Sequence, residues 1–123
     1  MDLEMTGLNP DEDTILEIAT VITDGDITQR LEGPAFVIHQ PLSKLEGMDD
    51  WNREHHSKSG LWQKVLESQL SIKEAEQQTL KFLRNHGIEA KTAPLGGNSI
   101  WQDRRFIAKY MPELDRFLHY RLI

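Results

Sequence analysis

Three acids carry the chemistry that this sequence is equipped to do: Asp2, Glu4 and Asp103. Asp2 and Glu4 stand two apart in Met1-Asp2-Leu3-Glu4-Met5-Thr6-Gly7-Leu8, so on a strand they project from one face. Two adjacent carboxylates repel, which disfavours ionising both. A hard divalent cation removes that penalty, because such ions take oxygen ligands. The plain alternative is a pair of solvated acids on a frayed first strand. Asp103 falls in register with Phe106, Ile107 and Tyr110, at i, i+3, i+4 and i+7 of one helix face, which Ile100 extends. An aspartate in an apolar stripe is costly to bury unless it is paired, hydrogen-bonded or bound to metal. Either it lies at the stripe's margin against an arginine, or it faces Asp2 and Glu4 and completes a carboxylate cluster.

Other constellations are weaker. Asn9-Pro10-Asp11-Glu12-Asp13 lacks the glycine and the ligand spacing of a calcium loop. His55 and His56 suggest a zinc pair, but adjacent residues diverge on a helix, and the pair is set aside. The absence of cysteine excludes disulfides, thiolate metal sites and cysteine nucleophiles. A net charge of −6 argues against sequence-blind binding to long nucleic acid, which needs a basic surface. An acidic chain can still hold a short nucleotide through metals and a few arginines. No apolar run approaches a membrane span, the first residues do not resemble a signal peptide, and no membrane partner is expected.

The elements that must position the acids follow from pattern. The 123 residues, 38% hydrophobic and 28% charged, fit one domain spanning 1–123. Residues 14–23 are rich in β-branched side chains and predict a strand with Leu16, Ile18, Thr20 and Ile22 on the core face and Glu17 exposed. Asp24-Gly25 predicts a hairpin turn, and residues 27–39 a return strand with an irregularity at Gly33-Pro34. Residues 49–56 predict a short helix with acids at its N-terminal end, and Leu61 to Glu67 a second. Ser71 and Glu74 form a capping box opening a helix with the stripe Ile72, Ala75, Thr79, Phe82 and Leu83, closed at His86-Gly87 and read as scaffold. Residues 93–97 predict a short strand, Ser99 to Met111 the Asp103 helix, and Pro112 a further turn. Three strands, then helices, then a strand and a helix predict an α/β fold with a mixed sheet flanked by helices.

In this order D-L-E-M-T-G-L, the M-D-D-W-N-x-x-H-H stretch, G-N-S-I-x-Q-D-R-R-F, K-Y-M-P-E-L and H-Y-R resemble the oligoribonuclease family of DEDD 3′→5′ exonucleases, on an RNase H-like fold. The resemblance runs through nearly the whole chain. It implies that Asp2, Glu4 and Asp103 bind two divalent ions, Mg²⁺ or Mn²⁺. It implies that Leu8 wedges between the bases of a dinucleotide, and that Trp51 and His56 line the base pocket. Asn98, Ser99 and Gln102, at the helix start, would hold sugar and phosphate. Tyr120, a catalytic-site residue by the same resemblance, and Arg121 would act near the substrate's 5′ end, with a partner subunit contributing. The implied partners are RNAs of two to five nucleotides and a second copy of the chain, in the cytoplasm, or in mitochondria for a eukaryotic source.

The chain departs from that pattern at its ends. The resemblance expects a final motif with a histidine base and a fourth metal-binding aspartate. None of the five histidines (39, 55, 56, 86 and 119) has that spacing. The expectation is therefore a domain lacking its C-terminal part, with an incomplete metal site and little activity alone. Two other readings remain: a proofreading-type DNA exonuclease of the same fold, separable by its length preference, and a non-catalytic module that binds nucleotides.

Overall fold

The computed structural model describes the backbone of residues 1–23, 30–88, 94–95 and 100–122, and the side chains of the same residues except 30, 94–95, 100 and 119–122. Three strands, β1 (Asp2–Met5), β2 (Ile15–Thr23) and β3 (Arg30–Val37), form an antiparallel sheet in the order β1-β2-β3. Four helices follow: α1 (Leu42–Glu46), α2 (Asp50–Lys58), α3 (Leu61–Glu67) and α4 (Ile72–Asn85). Then come β4 (Pro94–Leu95), α5 (Ile100–Tyr110), α6 (Pro112–Phe117) and β5 (His119–Leu122), with β4 and β5 paired in parallel. The α/β reading holds. Among the described residues, the antiparallel and parallel pairings lie in two separate ladders rather than one mixed sheet.

Two bulges decide which way side chains point. Met5 opposes Ile15 while Glu4 opposes Glu17, so Leu16 is one residue too many on β2. The extra residue reverses the alternation there. Ile15 and Ile18 both enter the main core with Leu3, Leu80, Phe106, Ile107 and Leu114, whereas Leu16 joins Leu45, Met48, Leu61 and Val65 on the other side. The expected core face thus holds at Ile18 and Thr20 and fails at Leu16. The second bulge lies at Gly33-Pro34, where Ala19 opposes Ala35 and Val21 opposes Glu32. A Cβ on Gly33 would collide with the Phe82 ring, so the irregularity also lets α4 approach the sheet. The Asp24-Gly25 turn lies outside the described residues.

The helices form for the reasons that the sequence offers, with small shifts of boundary. Asp49 caps α2 by accepting from the Asn52 amide at 2.8 Å, and the helix runs on to Lys58. The capping box of α4 is formed in both directions, and Gly87 takes φ +80° just past its end. The α4 stripe includes two residues absent from the expected set, Glu76 and Leu80, while Phe82 and Ile72 are only half-buried. Buried Glu76 is not an error of packing. Its Oε2 accepts from the Glu113 and Leu114 amides at 2.9 and 3.1 Å and so holds the first turn of α6. The short α1, with no side-chain cap and only Leu45 buried, has no signal in the sequence pattern.

Candidate active site

Among the described residues β1 is one of the two edge strands of the three-stranded sheet. Leu3 turns inward to the core, and Asp2 and Glu4 project to the opposite side, Asp2 exposed and Glu4 half-buried. α5 packs against this edge through Phe106 and Ile107, both fully buried. One turn before Phe106, Asp103 is 3% exposed and accepts a hydrogen bond from the Leu3 backbone amide. Its second oxygen, Oδ2, is buried with no hydrogen-bond partner among the described residues. The arginine beside it is engaged elsewhere, since Arg104 Nε donates to Asp115 Oδ1 at 2.7 Å. The marginal, arginine-paired reading of Asp103 therefore does not hold.

Burial raises the Asp103 carboxyl from its ordinary 3.8 to about 6, and the nearby Asp2 charge adds to the rise. The Leu3 amide opposes the shift without cancelling it. Glu17, directly across the ladder from Glu4, is also pushed upward, first by burial and then by the Glu4 charge. Glu17 is half-buried rather than exposed as expected, because its side of β2 is covered by α2 and α3. Asp2, Glu4 and Glu17 on the strand pair and Asp103 on α5 thus act on one another, with the Met1 amino group and Lys64 as the opposing positive charges. The Asp2 and Glu4 charges both act on Asp103, yet the oxygens of the three do not all lie within 4.8 Å of one another, so the chain alone gathers these acids without closing them into a ligand set. Hard oxygen donors, mutual repulsion and an orphaned buried oxygen are what a divalent cation between them would satisfy.

The loop after β1 presents Leu8, which is 67% exposed. Asp13 fixes this loop: its carboxylate accepts from Thr6 Oγ1 and from the Asn9 amide, both at 3.1 Å. A Cβ on Gly7 would overlap that carboxylate, which gives the glycine its reason. On α2, Trp51 is 68% exposed and stacked on His55 at 4.8 Å with the planes 11° apart. His56, in contrast, is 1% exposed, and its Nε2 lies 2.9 Å from the Met5 carbonyl oxygen. That bond ties α2 to the end of β1.

His55 and His56, set aside as a ligand pair on their own, come close to a third donor. Donor atoms of Glu4, His55 and His56 all lie within 4.8 Å of one another. Adjacent helical residues do diverge, but half-buried Glu4 has a donor atom near both the exposed ring of His55 and the buried ring of His56.

Of the remaining expected residues, Gln102 lies in the first turn of α5 and accepts from Arg105 Nη1 at 3.0 Å. Tyr120 and Arg121 lie on β5, whose backbone alone is described. Asn98 and Ser99 lie outside the described residues. Sequence reasoning missed Glu17, Lys64 and Asp13. The first two reach the site only through ladder register and helix packing, and Asp13 only through the fold of its loop. None of these carries a local signal.

The model of an exonuclease family, that of RNase T, matches residues 1–123. A Thiobacillus denitrificans protein named oligoribonuclease is 52% identical over 121 residues, covering 98% of this chain and 66% of its own length. A Marinobacter nauticus oligoribonuclease is 55% identical over the same extent, covering 67% of its length, and one from Xanthomonas euvesicatoria is 52% identical, covering 62%. The chain spans about two thirds of the length of the curated relatives it matches. The strand, helix and carboxylate arrangement is consistent with the RNase H-like fold that the sequence resembles. With the whole chain matched and identity above half, the chain belongs to the exonuclease family of RNase T and, within it, to the oligoribonucleases.

Proposed function

We propose that this chain carries the metal-dependent site of a 3′→5′ exoribonuclease acting on very short oligoribonucleotides, dinucleotides above all, with nucleoside 5′-monophosphates as products. The observation that carries it is Asp103: buried, in line with two acids on the adjoining strand, and left with a free oxygen among the described residues. Asp2, Glu4 and Asp103 would hold two divalent ions, Mg²⁺ or Mn²⁺. When bound, the ions supply Lewis acidity at neutral pH and countercharge for an in-line displacement at phosphorus. The chain's own part is to hold and orient. The Leu3 amide restrains Asp103, whose charge senses those of Asp2 and Glu4.

Leu8, in the loop after β1, and Trp51, on α2, are large apolar side chains exposed to solvent. In this reading Leu8 separates two bases and Trp51 stacks on one of them, a contact every base can make. The rigid Asp13 loop and the His56–Met5 bond keep both in place. Gln102, Asn98 and Ser99 would contact sugar and phosphate, His56 would border the base pocket, and Tyr120 and Arg121 would close on the 5′ end. Dimerisation and a cytoplasmic location belong to the same proposal. Proton acceptance from the attacking water is assigned to no residue of this chain.

The test is hydrolysis of a 5′-labelled diribonucleotide in Mn²⁺, with EDTA as control, against a labelled long RNA and a DNA dinucleotide. It is run on this chain and on a C-terminally extended form. Metal-dependent release of mononucleotide from the diribonucleotide, far faster than from the long strand, is the expected result. Equal rates on long DNA would replace the proposal with a proofreading-type exonuclease. Binding without turnover in the extended form would replace it with a non-catalytic module.

A further inference from the structure

We propose that Glu4, His55 and His56 form a second cation site, selective for zinc-class ions, that shares Glu4 with the carboxylate cluster. The argument begins with the buried ring of His56. Its Nε2 lies 2.9 Å from the Met5 carbonyl oxygen, and a carbonyl oxygen only accepts, so Nε2 carries the proton. In the neutral ring, Nδ1 then holds a lone pair. That atom is buried and has no hydrogen-bond partner among the described residues. A histidine anchored through one ring nitrogen to a backbone carbonyl, with the other left free, has the arrangement that orients an imidazole for a metal.

Two further donors stand beside it. Glu4 and His55 each place a ligand atom within 4.8 Å of the others and of His56. Around a tetrahedral zinc with bonds of about 2.0–2.1 Å, ligand atoms sit about 3.3 Å apart. Closing the difference needs rotation of the exposed His55 and the half-buried Glu4, while His56 stays fixed. A cleft of about 250 Å³, bordered by Glu4, Glu17, His55, Ser59, Leu61 and Lys64, leaves room for a water as fourth ligand. The Lys64 charge opposes a cation there, and Glu17 in the same cleft offsets it. Two imidazoles and one carboxylate suit zinc, whereas magnesium prefers oxygen donors and keeps its waters.

The sharing has a consequence. An ion held by the histidines engages Glu4 and withdraws it from Asp2 and Asp103, so zinc inhibits where magnesium or manganese supports the reaction. This consequence rests on the proposed function, but the binding itself does not.

The experiment uses Co²⁺ as a spectroscopic stand-in for zinc, added to the wild-type chain, to His55→Ala and to Asp103→Asn. The expected result is an intense visible band of four-coordinate cobalt, saturating near one equivalent and erased by Zn²⁺. Affinity should fall at least tenfold in His55→Ala and change by less than about twofold in Asp103→Asn, which leaves all three proposed ligands in place. No band, equal affinity in His55→Ala, or loss of the band in Asp103→Asn would overturn the site. In the diribonucleotide assay, micromolar zinc should inhibit wild type at least tenfold more strongly than His55→Ala. A protein that binds cobalt as expected yet never hydrolyses the substrate would sink the nuclease reading and leave the zinc site standing.

Discussion

Replacing Asp103 by asparagine should make the metal-free chain more stable at neutral and alkaline pH while abolishing its stabilisation by Mn²⁺. Burial and the Asp2 charge raise the carboxyl from 3.8 to about 6. Because the folded state binds this proton more tightly than the unfolded chain, stability is greatest below about pH 4. It falls as pH rises through about 6 and is flat above that. The difference corresponds to about 3 kcal/mol of destabilisation once the group is fully ionised. Asparagine keeps the size and the acceptor for the Leu3 amide and removes the charge. It also exchanges the unpartnered oxygen for an NH2 group, a donor whose natural acceptors are the neighbouring acids Asp2 and Glu4, so no further penalty is added to the lost charge.

Thermal unfolding in EDTA should therefore show the variant melting roughly 10 °C above wild type near pH 8, at about 3–5 °C per kcal/mol for a chain of this size. Near pH 4 the two should coincide. Mn²⁺ should raise the wild-type midpoint at pH 8, since the ion supplies the missing countercharge, and should leave the variant unmoved. A variant less stable than wild type at pH 8, or a difference that does not change between the two pH values, would refute the account of Asp103 as a strained buried anion.

Glu76→Ala removes the carboxylate that holds the Glu113 and Leu114 amides and should destabilise by about 3 kcal/mol, with Glu76→Gln losing about half as much; urea midpoints measure both. Trp51→Ala, at a 68% exposed position, should change stability by less than about 0.5 kcal/mol. It should weaken diribonucleotide binding by about 1–3 kcal/mol, read from KM or from titration with the metal omitted. Gly7→Val forces the new side chain onto the Asp13 carboxylate. The Leu8 loop must then shift, and KM for the diribonucleotide should rise at least about fivefold, an effect of about 1 kcal/mol, with a far smaller change in binding of a mononucleotide.

The local chemistry of this fold was legible because each signal acts within a few residues. The Ser71–Glu74 box, the glycine after α4 and the β-branched run of β2 all report on their own backbone. The side-chain directions near the site were not legible. The bulge at Leu16 inverts one step of β2, and a bulge depends on the partner strand, which the run TILEIATVIT does not contain. The same non-local register sets Glu17 opposite Glu4 and turns an apparently exposed acid into a member of the cluster. The closeness of His55 and His56 to Glu4 was hidden for a related reason. Helical spacing describes where two side chains leave the helix, and says nothing of a third group on a strand that comes near both.

Two acids in apolar helical stripes show what the structure adds. Glu76 on α4 and Asp103 on α5 pose the same problem in sequence, a carboxylate among residues that become core. The fold answers them differently. Glu76 meets the amides at the start of α6, where a negative charge is favoured, and one of its oxygens alone takes two hydrogen bonds. Asp103 meets a single amide, the charge of the Met1 amino group and two further acids, and keeps an oxygen with no partner among the described residues. The first arrangement lowers the free energy of the chain as it stands, so it is structural. The second raises it, and a fold retains such a group only where something outside the chain relieves it. A divalent cation does so by charge and by ligand type together. Under the proposed function, Asp103 is the acid that the protein alone satisfies poorly and that an ion would relieve.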